Sequence, residues 1–270
     1  MSQYAVIGDP VQHSKSPLIH QMFAEQTAQD LHYDAIQVQA SALAQFITDF
    51  FANGGAGLNV TVPHKETAFA LMAVCSDRAL LAKATNTIFL DATGNLCGDN
   101  TDGVGLVRDI QSNHKFDIRD KRILLLGAGG AVRGALGPLI AEQPASITIA
   151  NRTVAKAEKL ANEFASLLAI ETGSFASLTN QKFDLIINGT SMGLIEQTPD
   201  IDNRILSDEC CCYDMMYSKG DTAFVSWSKN NGAKISIDGL GMLVEQAAEA
   251  FAIWRGVRPD TAPVIKALRN

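Results

Sequence analysis

The sequence predicts an α/β protein of two domains, an N-terminal open α/β domain and a Rossmann-like doubly wound domain set inside it. Three observations carry this. Short apolar runs alternate with helix-length segments along most of the chain, the pattern of parallel sheets covered by helices. Residues 121–153 read as one strand-helix-strand unit with a glycine-rich turn after its first strand. A last amphipathic segment follows after the second sheet has its helices, so it must cover the first domain and make that domain discontinuous.

At 270 residues the chain is long enough for two cores. With 47% hydrophobic and 19% charged residues it has the composition of an ordinary globular protein. The net charge of -7 argues against a nucleic-acid surface, yet leaves room for a small anionic substrate held by local groups. No apolar run reaches membrane-span length, and MSQYAVIGDP lacks the regions of a signal peptide, so a cytoplasmic protein without membrane partners is expected. Of the five cysteines, Cys210, Cys211 and Cys212 are consecutive. Strand neighbours point to opposite faces, so these three cannot converge on a metal; buried reduced thiols and no metal site are expected.

In the first domain, residues 4–7 form a strand closed by Gly8-Asp9-Pro10. HSKSP follows, with Pro17 opening a helix to about Thr27. Ser16 is either its N-cap or, with Ser14, a ligand for an anionic group at the strand's end. A strand at 32–38, a helix at 41–52 capped by Ser41 and a strand at 57–60 complete a βαβαβ pattern, which implies a parallel sheet. Asn59, Thr61, His64 and Lys65 gather where the third strand ends, the usual place for ligands in open α/β sheets, although a lone lysine there is more often solvated. Residues 87–90 and 96–98 read as a hairpin, preceded by Asn86 and followed by Asn100, Thr101 and Asp102. The domain boundary is placed at residue 103.

The apolar strand at 123–126 runs into Gly127, Ala128, Gly129, Gly130 and Ala131. Gly127 and Gly129 allow a sharp turn and close backbone approach, and the helix that follows offers free N–H groups to a pyrophosphate. Val132 stands where the dinucleotide pattern has a third glycine or alanine. The second strand of the unit ends at Asn151, Arg152 and Thr153, where a ribose-binding acidic residue would otherwise be expected. Arg152 suits a 2′-phosphate and Lys156 adds charge one turn on; the alternative is a capping Asn151 or Thr153 beside a solvated arginine. A helix to about residue 167, a weak strand near Ala169 and a strand at 183–187 follow. That last strand ends in Asn188-Gly189-Thr190-Ser191-Met192-Gly193, either a plain turn or a lining for the nicotinamide end. A strand at 211–215, a helix at 222–230 and a strand at 234–237 finish the domain at residue 238. From 239 onward, Leu240, Leu243, Val244, Ala247, Phe251 and Trp254 share one helical face, with Gln246 beside it.

SKSP at 14–17, NVTVPHK at 59–65, NT at 86–87, GDNTDG at 98–103, GAGGAVRG at 127–134, NRT at 151–153, NGTSMG at 188–193 and the GLGMLVEQAAEAF run resemble the shikimate dehydrogenase family, in the family's order and across nearly the whole chain. The resemblance implies reversible NADPH-dependent reduction of 3-dehydroshikimate to shikimate, a step toward chorismate and the aromatic amino acids; a small-molecule partner is expected, and the chain is expected to be a monomer or homodimer. It implies Ser14, Ser16 and Tyr217 at the substrate carboxylate, and Asn59, Thr61, Lys65, Asn86, Asp102 and Gln246 at the ring hydroxyls. Lys65 and Asp102 become the catalytic pair, and NADP(H) falls to Gly127, Ala128, Gly129, Gly130, Ala131, Asn151, Arg152, Thr153 and Lys156, with Thr190, Met215, Gly239 and Met242 around the nicotinamide. Many relatives carry proline two residues after the tyrosine, where this chain has Lys219, so the backbone direction at Tyr217 is the loosest part of the transfer.

Two rivals are distinguishable by residue. An NAD-dependent quinate/shikimate dehydrogenase shares SKSP and NVTVPHK, but an acidic residue in place of Arg152 suits NAD. A non-catalytic NADP-binding protein on the same fold has no need of Lys65 and Asp102.

Overall fold

The computed structural model describes residues 1–179, 181–190, 192 and 197–269. The chain forms two compact units, Met1–Gly105 with Leu243–Asn270 and Leu106–Met242, so the crossings lie a few residues beyond the expected 103 and 238.

In the first unit β1 (Ser2–Gly8), α1 (Ser16–Thr27), β2 (Leu31–Gln37), α2 (Leu43–Ala52) and β3 (Gly55–Val60) lead to α3 (Lys65–Leu71), the two-residue β4 (Val74–Cys75) and α4 (Asp77–Ala82). The hairpin β5 (Thr87–Leu90) and β6 (Leu96–Asp99) and the start of α5 (Asp102–Arg108) complete the N-terminal part. The sheet order is β2-β1-β3-β5-β6-β4. β1 pairs in parallel with β2 and β3, as the βαβαβ pattern implies, while β5 of the expected hairpin runs antiparallel to both β3 and β6, so the sheet is mixed. The reason is local: a tight hairpin returns the chain on the same edge without a crossover helix.

Strand alternation sorts the core into two layers. Ala5, Ile7, Leu58, Val60 and Ile88 face Leu43, Ile47 and Phe51 of α2. Tyr4 and Val6 turn to the other face with Tyr33 and Trp254. The expected cap at Ser41 is corrected, and of the two alternatives at Ser16 the cap does not form. Ser16 is the first residue of α1, with Lys15 at the cap position and no side-chain cap; Ser14 Oγ accepts the Ser16 N–H instead, at 3.2 Å. Ser41 lies within a 3₁₀ turn, Ala40–Ala42, so α2 begins only at Leu43.

The second unit is wholly parallel. β7 (Arg122–Leu126), α6 (Gly130–Ala141), β8 (Ser146–Ala150), α7 (Val154–Phe164), β9 (Glu171–Gly173), β10 (Phe183–Asn188), β11 (Leu206–Asp214), α8 (Ala223–Asn230) and β12 (Ile235–Ile237) give the order β12-β11-β10-β7-β8-β9. The strand order reverses between β7 and β10, the switch point at which doubly wound sheets bind ligands. Leu126 is level with both Ala150 and Asn188, and Asn188 with Asp214, so the turns after four strands leave from one edge. The chain returns to the first unit within α9 (Leu240–Arg255), whose Val244, Ala247, Ala248 and Phe251 pack with Ile19 and Phe23 of α1. α10 (Ala262–Arg269), not anticipated from the sequence, adds Val264 to that layer.

All five cysteines are free thiols; Cys210, Cys211 and Cys212 are fully buried in β11, and burial pushes the Cys211 thiol up. Among the described residues no group of three or more His, Cys, Asp or Glu side chains is placed to hold a metal, and no helix is long and apolar enough to cross a membrane.

Gly57 faces the Trp254 indole, and a Cβ there would lie 2.6 Å from its Nε1, which donates to the Ile88 carbonyl at 3.2 Å. Gly57→Ala is therefore expected to lower stability by about 1–3 kcal/mol through overpacking, read as a fall in the denaturation midpoint with a change in tryptophan fluorescence.

Candidate active site

Sheet register brings the polar side chains of the first unit together. Asn59 of β3 is level with Thr87 of β5, and Thr87 with Asp99 of β6. The segments before β5 and after β6 thus emerge at the end where β3 leads into α3. Lys65, first residue of α3, and Asp102, first residue of α5, meet there with Lys65 Nζ 2.6 Å from Asp102 Oδ2. Their side chains are 28% and 20% exposed, dry enough for the charges to act strongly and open enough to meet a ligand. Asn86 Nδ2 donates to the other carboxylate oxygen, Asp102 Oδ1, at 2.8 Å. The lysine expected to be solvated in isolation is therefore paired, and its partner is itself held.

Asn86 is in turn fixed from behind. Its Oδ1 accepts from Thr101 N–H and Thr87 Oγ1, both at 2.9 Å. Gln246 of α9 turns its Oε1 to within 3.4 Å of Asn86 Nδ2 and Thr101 Oγ1 while its Nε2 donates to the Leu243 carbonyl. It is thus part of the cluster, against the alternative of a solvated helix position. Asn59 is buried, and its Nδ2 donates to Asn86 O and Thr87 Oγ1 at 3.0 and 3.2 Å. Both amide hydrogens are occupied there, leaving little to offer a ring hydroxyl. Ser14 is half-buried and Ser16 buried beyond the end of β1, and Thr61, whose N–H donates to Ile7 O at 2.9 Å, follows β3 beside them.

Sequence reasoning did not find the acid behind this cluster. Asp99 accepts from Ser76 Oγ, from Arg78 and from the Asn100 N–H. Burial alone would raise its carboxyl, but the Arg78 and Ser76 hydrogen bonds prevail and hold it below the usual range. Arg78 also pairs with Glu249 of α9, three residues beyond Gln246, and Glu249 with Arg258. Asp99 stood inside the GDNTDG motif, but nothing in the sequence indicated its partner.

In the second unit the turn after β7 opens onto a cavity of about 780 Å³. Gly127 adopts φ +104°, a conformation that favours glycine. A Cβ on Gly129 or Gly130 would meet nothing within 4 Å, so this backbone stands bare at the start of α6. Ala128 and Thr153 line the cavity with Asn151, Arg152, Lys156 and Thr190; Ala131 is exposed on the first turn of α6. Arg152 and Lys156 are exposed and make no ion pair among the described residues. Thr153 occupies the cap position of α7 without a side-chain cap bond, while Asn151 Nδ2 donates to the Thr153 carbonyl at 2.8 Å. Bare glycine backbone at a helix start suits a pyrophosphate, and two unpaired cations suit a further phosphate on the ribose. These residues fit a phosphorylated dinucleotide.

Val132, in place of the third glycine, is fully buried, and its Cγ2 would lie 2.5 Å from a Cβ on Gly189. The small residue that close packing requires has thus moved across to the end of β10. Asn188 Oδ1 accepts from both Thr190 N–H and Thr190 Oγ1, and its Nδ2 donates to Asp214 at 3.1 Å. Burial pushes the Asp214 carboxyl up, against hydrogen bonds from Thr222, Met216 N–H and Asn188. Met215 N–H donates to Asn188 O at 2.9 Å, and a Cβ on Gly239 would strike the Met215 carbonyl at 2.3 Å, so only glycine fits there. Tyr217 is half-buried, which raises its hydroxyl, and Met242 is also half-buried. Ser191 and Gly193 lie outside the described residues.

Three family models match the chain: the shikimate dehydrogenase substrate binding domain over residues 6–88, shikimate/quinate 5-dehydrogenase over 110–200 and the shikimate 5′-dehydrogenase C-terminal domain over 239–269. The shikimate dehydrogenase (NADP⁺) of Hahella chejuensis is 54% identical over 270 residues, covering 100% of this chain and 99% of that one. Among solved structures, an Ael1 enzyme from Pseudomonas putida superposes with a TM-score of 0.95 at 42% identity, covering 100% and 99% of the two chains. A shikimate dehydrogenase in complex with NADP⁺ superposes at 0.90 and 33%, covering 99% and 94%. The glycine turn, the paired lysine and aspartate, and the identity along the whole length agree: the chain belongs to the NADP-dependent shikimate dehydrogenase family.

Proposed function

We propose that Lys65 is the proton donor and Asp102 its orienting partner in the reversible NADPH-dependent reduction of 3-dehydroshikimate to shikimate, the family's reaction in chorismate biosynthesis. The observation that carries this is the Lys65–Asp102 pair at 2.6 Å, with Asn86 on the second carboxylate oxygen. NADPH, when bound, supplies the hydride. As the ketone carbon is reduced, negative charge develops on its oxygen. A fixed ammonium stabilises that charge and passes it a proton. Lys65 has three N–H bonds and directs one at Asp102, leaving two for the substrate. In the oxidation direction Lys65 takes the proton back, and Asp102 keeps its nitrogen on the reacting oxygen. Asp102 provides a relay for the proton to solvent.

Ser14 and Ser16, with Tyr217, are proposed to bind the substrate carboxylate, and Thr61, Asn86 and Gln246 to line the ring hydroxyls. Gly127, Ala128, Gly129, Gly130 and Ala131 are proposed to take the pyrophosphate, and Asn151, Arg152, Thr153 and Lys156 the phosphorylated ribose. Thr190, Met215, Gly239 and Met242 are proposed to surround the nicotinamide. We place the enzyme in the cytoplasm, as a monomer or homodimer; free buried thiols suit a reducing compartment.

Turnover of shikimate and quinate with NADP⁺ and NAD⁺ tests the function: shikimate with NADP⁺ should be the fastest pair, and preference for quinate with NAD⁺ would contradict it. Lys65→Met should lower kcat by about 10²–10³-fold, the loss expected for one charge-stabilising donor, while NADPH affinity by fluorescence titration stays near the parent's; near-normal turnover would remove the assignment. Arg152→Asp should weaken NADPH binding far more than NADH binding, by about tenfold or more if one charge-assisted contact is lost; equal weakening of both would count against a 2′-phosphate contact.

A further inference from the structure

Behind the reacting pair lies a line of buried hydroxyls and amides that ends on a tyrosine beside Ser16. Tyr33, on β2, is buried, and its hydroxyl donates to Asn59 Oδ1 at 2.7 Å. Its ring stacks on the fully buried His20 ring, with centroids 4.2 Å apart and planes within 6°. Asn59 Nδ2 faces Asn86 O and Thr87 Oγ1, and Thr87 Oγ1 donates onward to Asn86 Oδ1. Asn86 Nδ2 then reaches Asp102 Oδ1, whose other oxygen holds Lys65.

The direction of every bond in this line is set by chemistry. A backbone carbonyl only accepts, so Asn59 must turn its NH₂ toward Asn86 O and its oxygen toward Tyr33. The Asp102 carboxylate likewise only accepts, so Asn86 must present its NH₂ there and its oxygen to Thr101 N–H and Thr87 Oγ1, which fill both lone pairs. An amide with its acceptor side fully occupied has one orientation. If that orientation slackens, the Asn86 oxygen can swing toward the carboxylate, where it repels instead of donating.

We propose that Thr87 and Tyr33 are positioning residues for this reaction. Without touching substrate, they fix the Asn59 and Asn86 amides and so hold Asp102 in the orientation that aims Lys65. Thr87 and Tyr33 are both buried, and Tyr33 meets this line at Asn59, so both act through other residues. The proposal rests on the reading of Lys65 and Asp102 as the reacting pair.

Thr87 permits a test in which packing and hydrogen bonding predict opposite results. Thr87→Val keeps the shape and removes the hydroxyl; Thr87→Ser keeps the hydroxyl and removes a methyl group. Steady-state kinetics with shikimate and NADP⁺ should show kcat about tenfold lower for Thr87→Val and within about threefold of the parent for Thr87→Ser, with NADPH affinity unchanged in both. A merely structural Thr87 would reverse that order, because valine fills the space that serine leaves empty. The reversed order, or equal kcat for the two variants, overturns the proposal. Tyr33→Phe deletes one oxygen and decides the matter should Thr87→Val fail to fold: kcat lowered by about threefold or more supports the relay, and the parent's kcat overturns it. Lys65→Met, assayed alongside, separates the two readings. Normal turnover there removes the reacting pair itself, whereas its collapse, with Thr87→Val equal to the parent, removes only the relay.

Discussion

The Lys65–Asp102 ion pair is the contact on which the first unit's polar architecture depends. A half-buried pair of charges gains from the lower dielectric only if its geometry is held and its remaining lone pairs are satisfied. Here Asn86 satisfies one carboxylate oxygen and Lys65 the other. The supports are backbone features: two helix starts carry the charged residues, and a hairpin in register with β3 carries the amide between them. The antiparallel hairpin is thus what delivers Asn86 and Asp102 to the end of β3. Behind them Asp99 and Arg78 anchor the strand end from which Asn100, Thr101 and Asp102 depart.

The second unit presents a different feature, bare backbone of a kind suited to a large anion. Gly129 and Gly130 leave the start of α6 uncovered, and Arg152 and Lys156 make no ion pair among the described residues. Val132 fills the position where the dinucleotide pattern asks for a small residue, and Gly189 yields the space. The buried Asn188–Asp214 pair ties the ends of β10 and β11 into one rigid edge, and Gly239 lies against the Met215 carbonyl in the only form that fits.

Much of this was legible in the sequence because it rests on local rules. Alternating apolar runs, the glycine turn and the hairpin each have a pattern of their own, and the resemblance carried the proposed reacting residues by motif. What remained hidden depends on partners distant in sequence. Tyr33 and Asn59 are 26 residues apart, and Arg78 and Glu249 are 171 apart; no periodicity announces either contact. The cap expected at Ser41, and the capping alternative at Ser16, did not hold: a serine before an apolar run signals a cap, whereas backbone geometry decided which residue the helix begins on. α10 went unread because the tail after Gly256 offered only a short segment.

In the proposed mechanism the aspartate, by its charge and by its hold on Lys65, makes the lysine an effective proton donor. Asp102→Asn, nearly identical in shape, isolates that charge. Single-turnover rates with saturating NADPH and 3-dehydroshikimate are predicted to fall by about 10²-fold or more while NADPH affinity stays at the parent's value. A rate within about threefold of the parent would contradict the account.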